Sequence, residues 1–321
     1  MLYDIIGDLH GHADALTALL AKLGYREKDG AWRHPDSMAI FVGDFIDRGP
    51  RQVTTVMTVR RMVDAGSALA VMGNHELNAI AWFLPDPDIS GEFLRPHHSA
   101  KWGSKNRQQH EAFLAEVESN PRMHKEIIDW FLTLPLWLDL PELCVAHACW
   151  HPYFMTWLAP RLSPGNCLTE ALMPAATREP ENEAEKDTPT PTVFKAVEAL
   201  TKGIEVELLP HPYSFKDKDG HVRTRVRTRW WDIQGTTYRR AALLDEQLLQ
   251  HIPDDPVPAH KRAPYSDARP LFVGHYWEHG TPTPFAANVA CVDYSVAKNG
   301  KLVAYRWEGE PELHAGGFVW V

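Results

Sequence analysis

Apolar residues in this chain fall into short unbroken runs, and the runs alternate with stretches of helical period. Residues 2–6, 38–42 and 68–72 are strand-like apolar segments of the kind buried on both faces. Between them, Leu16, Leu19, Leu20 and Leu23 recur at helical spacing and stop at Gly24, and a second helix is predicted over 51–64, closing at Gly66. Alternation of strand and helix over the first 75 residues predicts an α/β architecture. Residues 77–140 read as mostly helical, broken by Pro85, Pro87, Pro96 and Pro121, with Trp82, Trp102, Trp130 and Trp137 expected in the core. The strand signature returns at 143–146 and 271–274. The tail predicts strands at 288–294 and 302–307 around a turn at Lys298-Asn299-Gly300. No internal repeat is visible.

The segment 174–192 breaks this pattern. It is rich in Glu, Lys, Asp, Pro and Thr and has no apolar period, so an exposed, mobile loop is expected. It marks an insertion, expected over about 150–270, that would form a cap beside the active site of one domain spanning 1–321. The 321 residues, 44% of them hydrophobic, suffice for a substantial core. A net charge of −9 argues against general nucleic-acid binding, while leaving room for a local basic cleft. The four cysteines (Cys144, Cys149, Cys167, Cys291) show neither C-x-x-C spacing nor a secreted framework. Cys149 is expected to be a packed core residue. The opening Met-Leu-Tyr-Asp shows no leader pattern, and no apolar stretch has membrane-spanning length, so the expectation is a cytoplasmic protein without membrane contact.

The chemistry lies just after the strands. Gly7-Asp8-Leu9-His10-Gly11, Gly43-Asp44-Phe45-Ile46-Asp47-Arg48-Gly49 and Gly73-Asn74-His75-Glu76 follow the first three runs; His147 and His275 follow the two later ones. Singly, each cluster reads equally well as a capping turn, and each histidine as a core residue. Jointly they supply the carboxylate, imidazole and amide donors of a two-metal site, at strand ends that converge in open α/β sheets. Each leading glycine is expected to turn in positive φ. Asp44 is the natural bridging carboxylate; Asp8 and His10 would hold one ion, and Asn74, His147 and His275 the other. His75 is expected to face the substrate phosphate as the general acid, oriented by Asp47. Arg48 would grip phosphate oxygens with its planar guanidinium.

With these residues in place, the chain resembles the phosphoprotein phosphatase superfamily of calcineurin-like metallophosphoesterases. All five of that family's elements stand here in order between Gly7 and His275. The resemblance implies a four-layer α/β/β/α β-sandwich flanked by helices and two divalent ions, Mn first, with Fe or Zn compatible. It also implies hydrolysis of phosphate monoesters or phosphoanhydrides by attack of metal-bound hydroxide. Phosphorylated proteins or nucleotide polyphosphates would be the substrates. Ala148-Cys149-Trp150 stands where protein Ser/Thr phosphatases carry Gly-Gly, and Tyr276-Trp277 where bacterial relatives carry Thr-Pro; both changes reshape the cleft rather than the ligand set. The tail hairpin is also similar, in part, to bacterial symmetrical diadenosine tetraphosphatases. An Ap4A-type hydrolase is therefore the alternative substrate reading. A non-catalytic protein retaining the fold is a second alternative, and it is disfavoured by the presence of His75, Asp47 and Arg48.

Within the insertion, Arg223, Arg225, Arg227 and Arg229 alternate with Val or Thr, so one strand would project all four from one face. Lys216-Asp217-Lys218-Asp219-Gly220 reads as the hairpin turn before it. The family's second phosphate-gripping arginine comes from between the two isolated histidines, which makes Arg227 or Arg229 its counterpart here. Trp230 and Trp231 fit either base stacking or packing.

Overall fold

A computed structural model of the chain describes residues 2–208, 214–216, 222–232, 234 and 236–321. The predicted turn at 216–220 lies largely outside the described residues. Two sheets carry the fold. In the first, β1 (Leu2–Ile6), β2 (Ser37–Phe41) and β3 (Ala68–Ala70) run parallel. The second is built on β4 (Trp137–Asp139) and β5 (Cys144–Ala146). The insertion contributes β6 (Glu205–Glu207) paired with β7 (Arg225–Arg227). β8 (Leu271–Val273) and β9 (Val289–Cys291) then complete the second sheet in the order β9-β8-β5-β4. Finally β10 (Asp293–Tyr294), β11 (Lys301–Trp307) and β12 (Phe318–Trp320) return to the first sheet, where β11 pairs antiparallel with β1.

The unbroken apolar runs have a direct cause. Ile5, Ile40, Val42 and Val71 of the first sheet pack with Val145, Phe272 and Ala290 of the second in one inter-sheet core. Their sequence neighbours Ile6, Phe41 and Ala70, and Cys144, Leu271 and Val273, belong to the other core cluster, which includes the helices. Both faces of each central strand are thus dry. This is the expected sandwich flanked by helices.

The helices follow the leucine and valine spacing closely. α1 (Ala13–Leu23) buries Leu16, Leu19, Leu20 and Leu23 and ends at a left-handed Gly24. α2 spans Gln52–Asp64, and α3 (Asn74–Phe83) starts at the third motif itself. α4 (Gly103–Val117) and α5 (Pro121–Phe131) divide at the Asn120-Pro121 cap, where the Asn120 side chain accepts from the Met123 amide. Trp82, Trp130 and Trp137 are buried as expected. Trp102 is not: it is 43% exposed beneath the ammonium groups of Lys101 and Lys105.

Beyond α6 (Pro152–Leu158) the segment read as a loop contains a short helix, Met173–Thr177, and a 3-10 turn, Glu183–Asp187. Arg178 pairs with Asp86, and Asp187 takes a two-pronged contact from Arg225 at 2.8 and 2.9 Å. α7 (Val193–Lys202) then runs back toward the second sheet, where its Leu200 carbonyl accepts the Ala148 amide.

Candidate metal centre

Three of the five strand ends deliver their donors through an unusual backbone. His10, Asp44, Asp47, Arg48 and His275 all have positive φ, between 44° and 75°. Side chains other than glycine avoid this region, and such conformations concentrate where the surrounding structure fixes a site. The leading glycines differ from expectation. Only Gly43 turns in positive φ (103°). Gly73 and Gly274 serve close approach instead: a Cβ on Gly73 would lie 2.2 Å from Asp44 Oδ1, and one on Gly274 2.1 Å from Asp8 Oδ1.

Asp44 stands at the centre. Its Oδ2 lies 3.4 Å from His147 Nε2 and 3.9 Å from both His10 Nε2 and His75 Nε2. His10 Nδ1 donates to the Ile46 carbonyl at 3.0 Å, and His147 Nδ1 donates to the Val42 carbonyl at 2.6 Å. A carbonyl can only accept, so these bonds place the proton on Nδ1 and leave Nε2 a lone pair in the neutral ring. Those lone pairs face a carboxylate. Asn74 Oδ1, 3.3 Å from His147 Nε2, joins the same collection. Asp8 reaches it through the His275 amide, which donates to the Asp8 carboxylate at 3.1 Å. Two trios, His10–Asp44–His75 and Asp44–His147–His275, each present donor atoms within 4.8 Å of one another. His10 Nε2 and both ring nitrogens of His275 are buried with no hydrogen-bond partner among the described residues. Acceptors converging on a buried carboxylate, without protons between them, suit divalent cations. All six residues read as ligands from the sequence are brought together.

The electrostatics agree. Burial, with His75 adding to it, lowers His10 to about 3. Burial together with Arg227 and His147 holds His275 well below the usual range. For Asp44, burial opposes the charge, but His147 and His75 outweigh it and keep the carboxylate ionised. Asp8 is raised well above its ordinary value by burial, Asp293 and Asp44. The centre therefore holds His10 and His275 as neutral imidazoles beside an ionised Asp44. Against burial, Asp44 raises His147, while burial and crowding raise Asp8; a divalent cation would displace those protons.

His75 and Asp47 form a second unit. His75 Nδ1 is 2.5 Å from Asp47 Oδ2, and Asp47 is fully buried. Burial disfavours the imidazolium, but Asp44 and the hydrogen-bonded Asp47 outweigh it and raise His75. Sequence reasoning missed a third member. His110 of α4, 1% exposed, puts Nδ1 2.8 Å from the same Asp47 oxygen. Its signal is that it occupies a place in the buried stripe Asn106, His110, Phe113, Val117 where an apolar residue would serve packing. Glu76 also has work not assigned to it: its carboxylate accepts the amides of Asp44 and Phe45 at 2.8 Å and of Gly73 at 3.0 Å. It thereby ties the second cluster to the third, and burial with Asp44 nearby pushes it up to about 7. Asp293, likewise unforeseen, accepts from the Trp277 and Ser295 amides.

The arginines do not act together. Arg48 is exposed with its guanidinium 4.5 Å from the Trp277 ring, which Lys298 approaches to 4.6 Å. Trp277 in turn lies 5.6 Å from His10. Arg227 is half-buried, held loosely by Glu205 at 3.6 Å, and its charge reaches His275. Arg225 is bound to Asp187, and the strand ends at Arg227. Arg229 is exposed beyond it and Arg223 belongs to a separate two-residue strand, so no single strand carries all four arginines. Trp230 and Trp231 pack instead. Trp230 Nε1 donates to the Tyr276 hydroxyl at 2.7 Å, and Trp231 stacks on Phe285 at 4.2 Å.

Residues 1–158 match the family described as calcineurin-like phosphoesterase. That span contains Asp8, His10, Asp44, Asn74 and His147 but not His275. A protein of Halalkalibacterium halodurans named bis(5'-nucleosyl)-tetraphosphatase PrpE [asymmetrical] is 47% identical over 76 residues, 23% of this chain and 31% of the relative. The Bacillus subtilis protein of the same name is 42% identical over 151 residues, 46% of this chain and 57% of its own length. The chain thus spans between 31% and 57% of these relatives' length. Among solved structures, a cold-active protein-tyrosine phosphatase of a Shewanella species aligns over 95% of this chain and 75% of its own. Its TM-score of 0.47 and identity of 19% carry no further weight.

Proposed function

We propose, on the premise that residues 1–158 form a calcineurin-like phosphoesterase domain, that this chain hydrolyses phosphate esters or phosphoanhydrides with two divalent ions. Manganese is the proposed ion, because a donor set of oxygen and imidazole without thiolate suits it. Asp44 would lie between the ions, with Asp8 and His10 on one side and Asn74, His147 and His275 on the other. When bound, such a pair supplies Lewis acidity at the phosphoryl oxygens and a water acidic enough to attack near neutral pH.

The chain's own residues do the rest. Arg48 and Arg227 would hold non-bridging phosphate oxygens, Arg48 from the exposed rim and Arg227 from β7. Water, giving up one proton to solvent, adds to phosphorus; the bond from phosphorus to the leaving oxygen breaks, that oxygen takes the proton held at His75 Nε2, and His75 is reprotonated from solvent. Asp47, on the opposite ring nitrogen, keeps the imidazole oriented and charged. The relatives named as asymmetrical tetraphosphatases and Ala148-Cys149-Trp150 in place of Gly-Gly favour a nucleotide anhydride over a phosphoprotein. The four free cysteines, three of them buried, support a reducing cytosol as the compartment.

One observation carries the reading: histidine lone pairs aimed at a buried, ionised Asp44. The test is p-nitrophenyl phosphate hydrolysis by chelator-treated protein as Mn²⁺ is restored, with elemental analysis alongside. Activity should return with about two ions per chain. Full turnover in the metal-stripped protein, or failure to bind any ion, would overturn the proposal.

A further inference from the structure

Beside the metal centre the insertion encloses a second cavity of about 490 Å³, within the usual size of a small-molecule site. Its walls come from the start of α6, residues 186–189, the length of α7, the β6–β7 pair and residues 259–262. Among the described residues, seven lysines and arginines line it against two glutamates, in a chain whose net charge is −9. A cationic concavity on an acidic protein focuses its field on anions.

The local pairing leaves charge to spare. Arg225 and Lys261 share the single carboxylate of Asp187. Arg262 is exposed and has no ion pair among the described residues. Lys202 has Glu198 four residues before it, an exposed pairing of the weak kind. Lys195 is lowered by burial and by Lys261, as expected where cations crowd. Part of the lining is aromatic: Tyr153, 55% exposed, Phe154 and Phe194.

The cavity adjoins the candidate metal centre. Arg227 of β7 lines it. Gly203, another lining residue, sits against Tyr276, where a Cβ would lie 2.5 Å from the hydroxyl.

Resting on the phosphoesterase reading, we propose that this cavity binds the nucleoside-phosphate arm of a nucleotide anhydride while its scissile phosphate sits at Asp44. Lys202, Arg225 and Arg262 face the arm's phosphates, and Tyr153 and Phe154 its base. Several clustered cations match several adjacent phosphates, whereas a phosphopeptide brings one phosphate and an extended chain. Base stacking on an aromatic side chain is sequence-tolerant, so the arm is recognised as a nucleotide and not as one particular base.

The test uses the full chain with Lys202→Gln and Arg262→Gln combined, both changes lying on accessible side chains. Calorimetric titration of metal-free protein with adenosine 5'-triphosphate should show binding, weakened roughly ten-fold or more in the double variant. Tyr153→Ala should weaken the nucleotide but leave inorganic tripolyphosphate unaffected. With Mn²⁺ present, the double variant should raise KM for a dinucleoside tetraphosphate by a similar factor while its kinetics on p-nitrophenyl phosphate stay unchanged. Equal affinity of wild type and double variant for the nucleotide, or binding of a phosphopeptide where the nucleotide fails, overturns the inference. Wild-type protein inert toward p-nitrophenyl phosphate with Mn²⁺ would instead overturn the phosphoesterase reading, and the metal-free titration separates the two failures.

Discussion

At the residue scale the leaving-group chemistry rests on one proton and what holds it. His75 is raised because Asp44 and Asp47 outweigh its burial, so its acid form persists above the ordinary histidine range. Turnover should fall as pH rises through that raised pKa. His75→Asn should lower kcat by a factor on the order of 10²–10⁴, the usual worth of a general acid, with metal content intact by elemental analysis. Asp47→Asn removes one cause of the upward shift, so the basic limb of the kcat profile should move to lower pH. A limb that stays in place would mean another group supplies the proton. His110 tests the next contact outward. Its Nδ1 lies 2.8 Å from the Asp47 oxygen that also serves His75, so losing it lets that carboxylate rotate. His110→Phe should cut kcat roughly ten-fold at unchanged KM for p-nitrophenyl phosphate, within the range for a misplaced catalytic group. His110→Asn, whose amide can donate from the same place, should recover most of the loss.

At the scale of elements, what the sequence revealed and what it concealed have different physical origins. The strand-end donors were legible because each follows a segment buried on both faces, and a dry strand prints an unbroken apolar run. The leucine stripe of α1 and its terminal Gly24 were legible for a similar local reason. The insertion was not, since its order comes from contacts distant in sequence. Asp187 sits in a polar stretch without period, yet it holds Arg225 and Lys261 from other segments. That contact consumes one of the four alternating arginines, and the strand ends at Arg227, before Arg229. His110 was hidden for the opposite reason, being one polar residue inside a helical stripe. Asp187 gives the insertion a pH dependence of definite sign. Burial opposes its charge, but Arg225 and Lys261 outweigh it and depress its pKa. Its contribution is therefore present above the ordinary carboxylate value and lost as pH falls through the folded one. Limited proteolysis within 174–192 should accelerate only in acid for the wild type. Asp187→Asn should show the same acceleration at neutral pH.

At the scale of the whole molecule the candidate centre lies where two sheets meet. Asp8 and Asp44 come from the ends of β1 and β2, His147 and His275 from the ends of β5 and β8. A cation held by both groups binds the assembled sandwich and not the unfolded chain, so it must stabilise the fold. At a free ion concentration a hundred times Kd the gain is about 2.7 kcal/mol per site. Its pH dependence follows from the acids. Asp8 and Asp293 are both raised, by burial first and by neighbouring carboxylates after it. In metal-free protein their contribution to stability is complete below the ordinary carboxylate value and is lost as pH rises through the raised one. The ion offsets that repulsion and binds the deprotonated form. The Mn²⁺-induced rise in Tm should therefore grow with pH across the range where these acids ionise. Asp44→Asn, lacking the shared carboxylate, should lose most of that rise and its bound metal together. An increment independent of pH, or one that survives this substitution, would mean the ion binds outside the meeting point of the sheets.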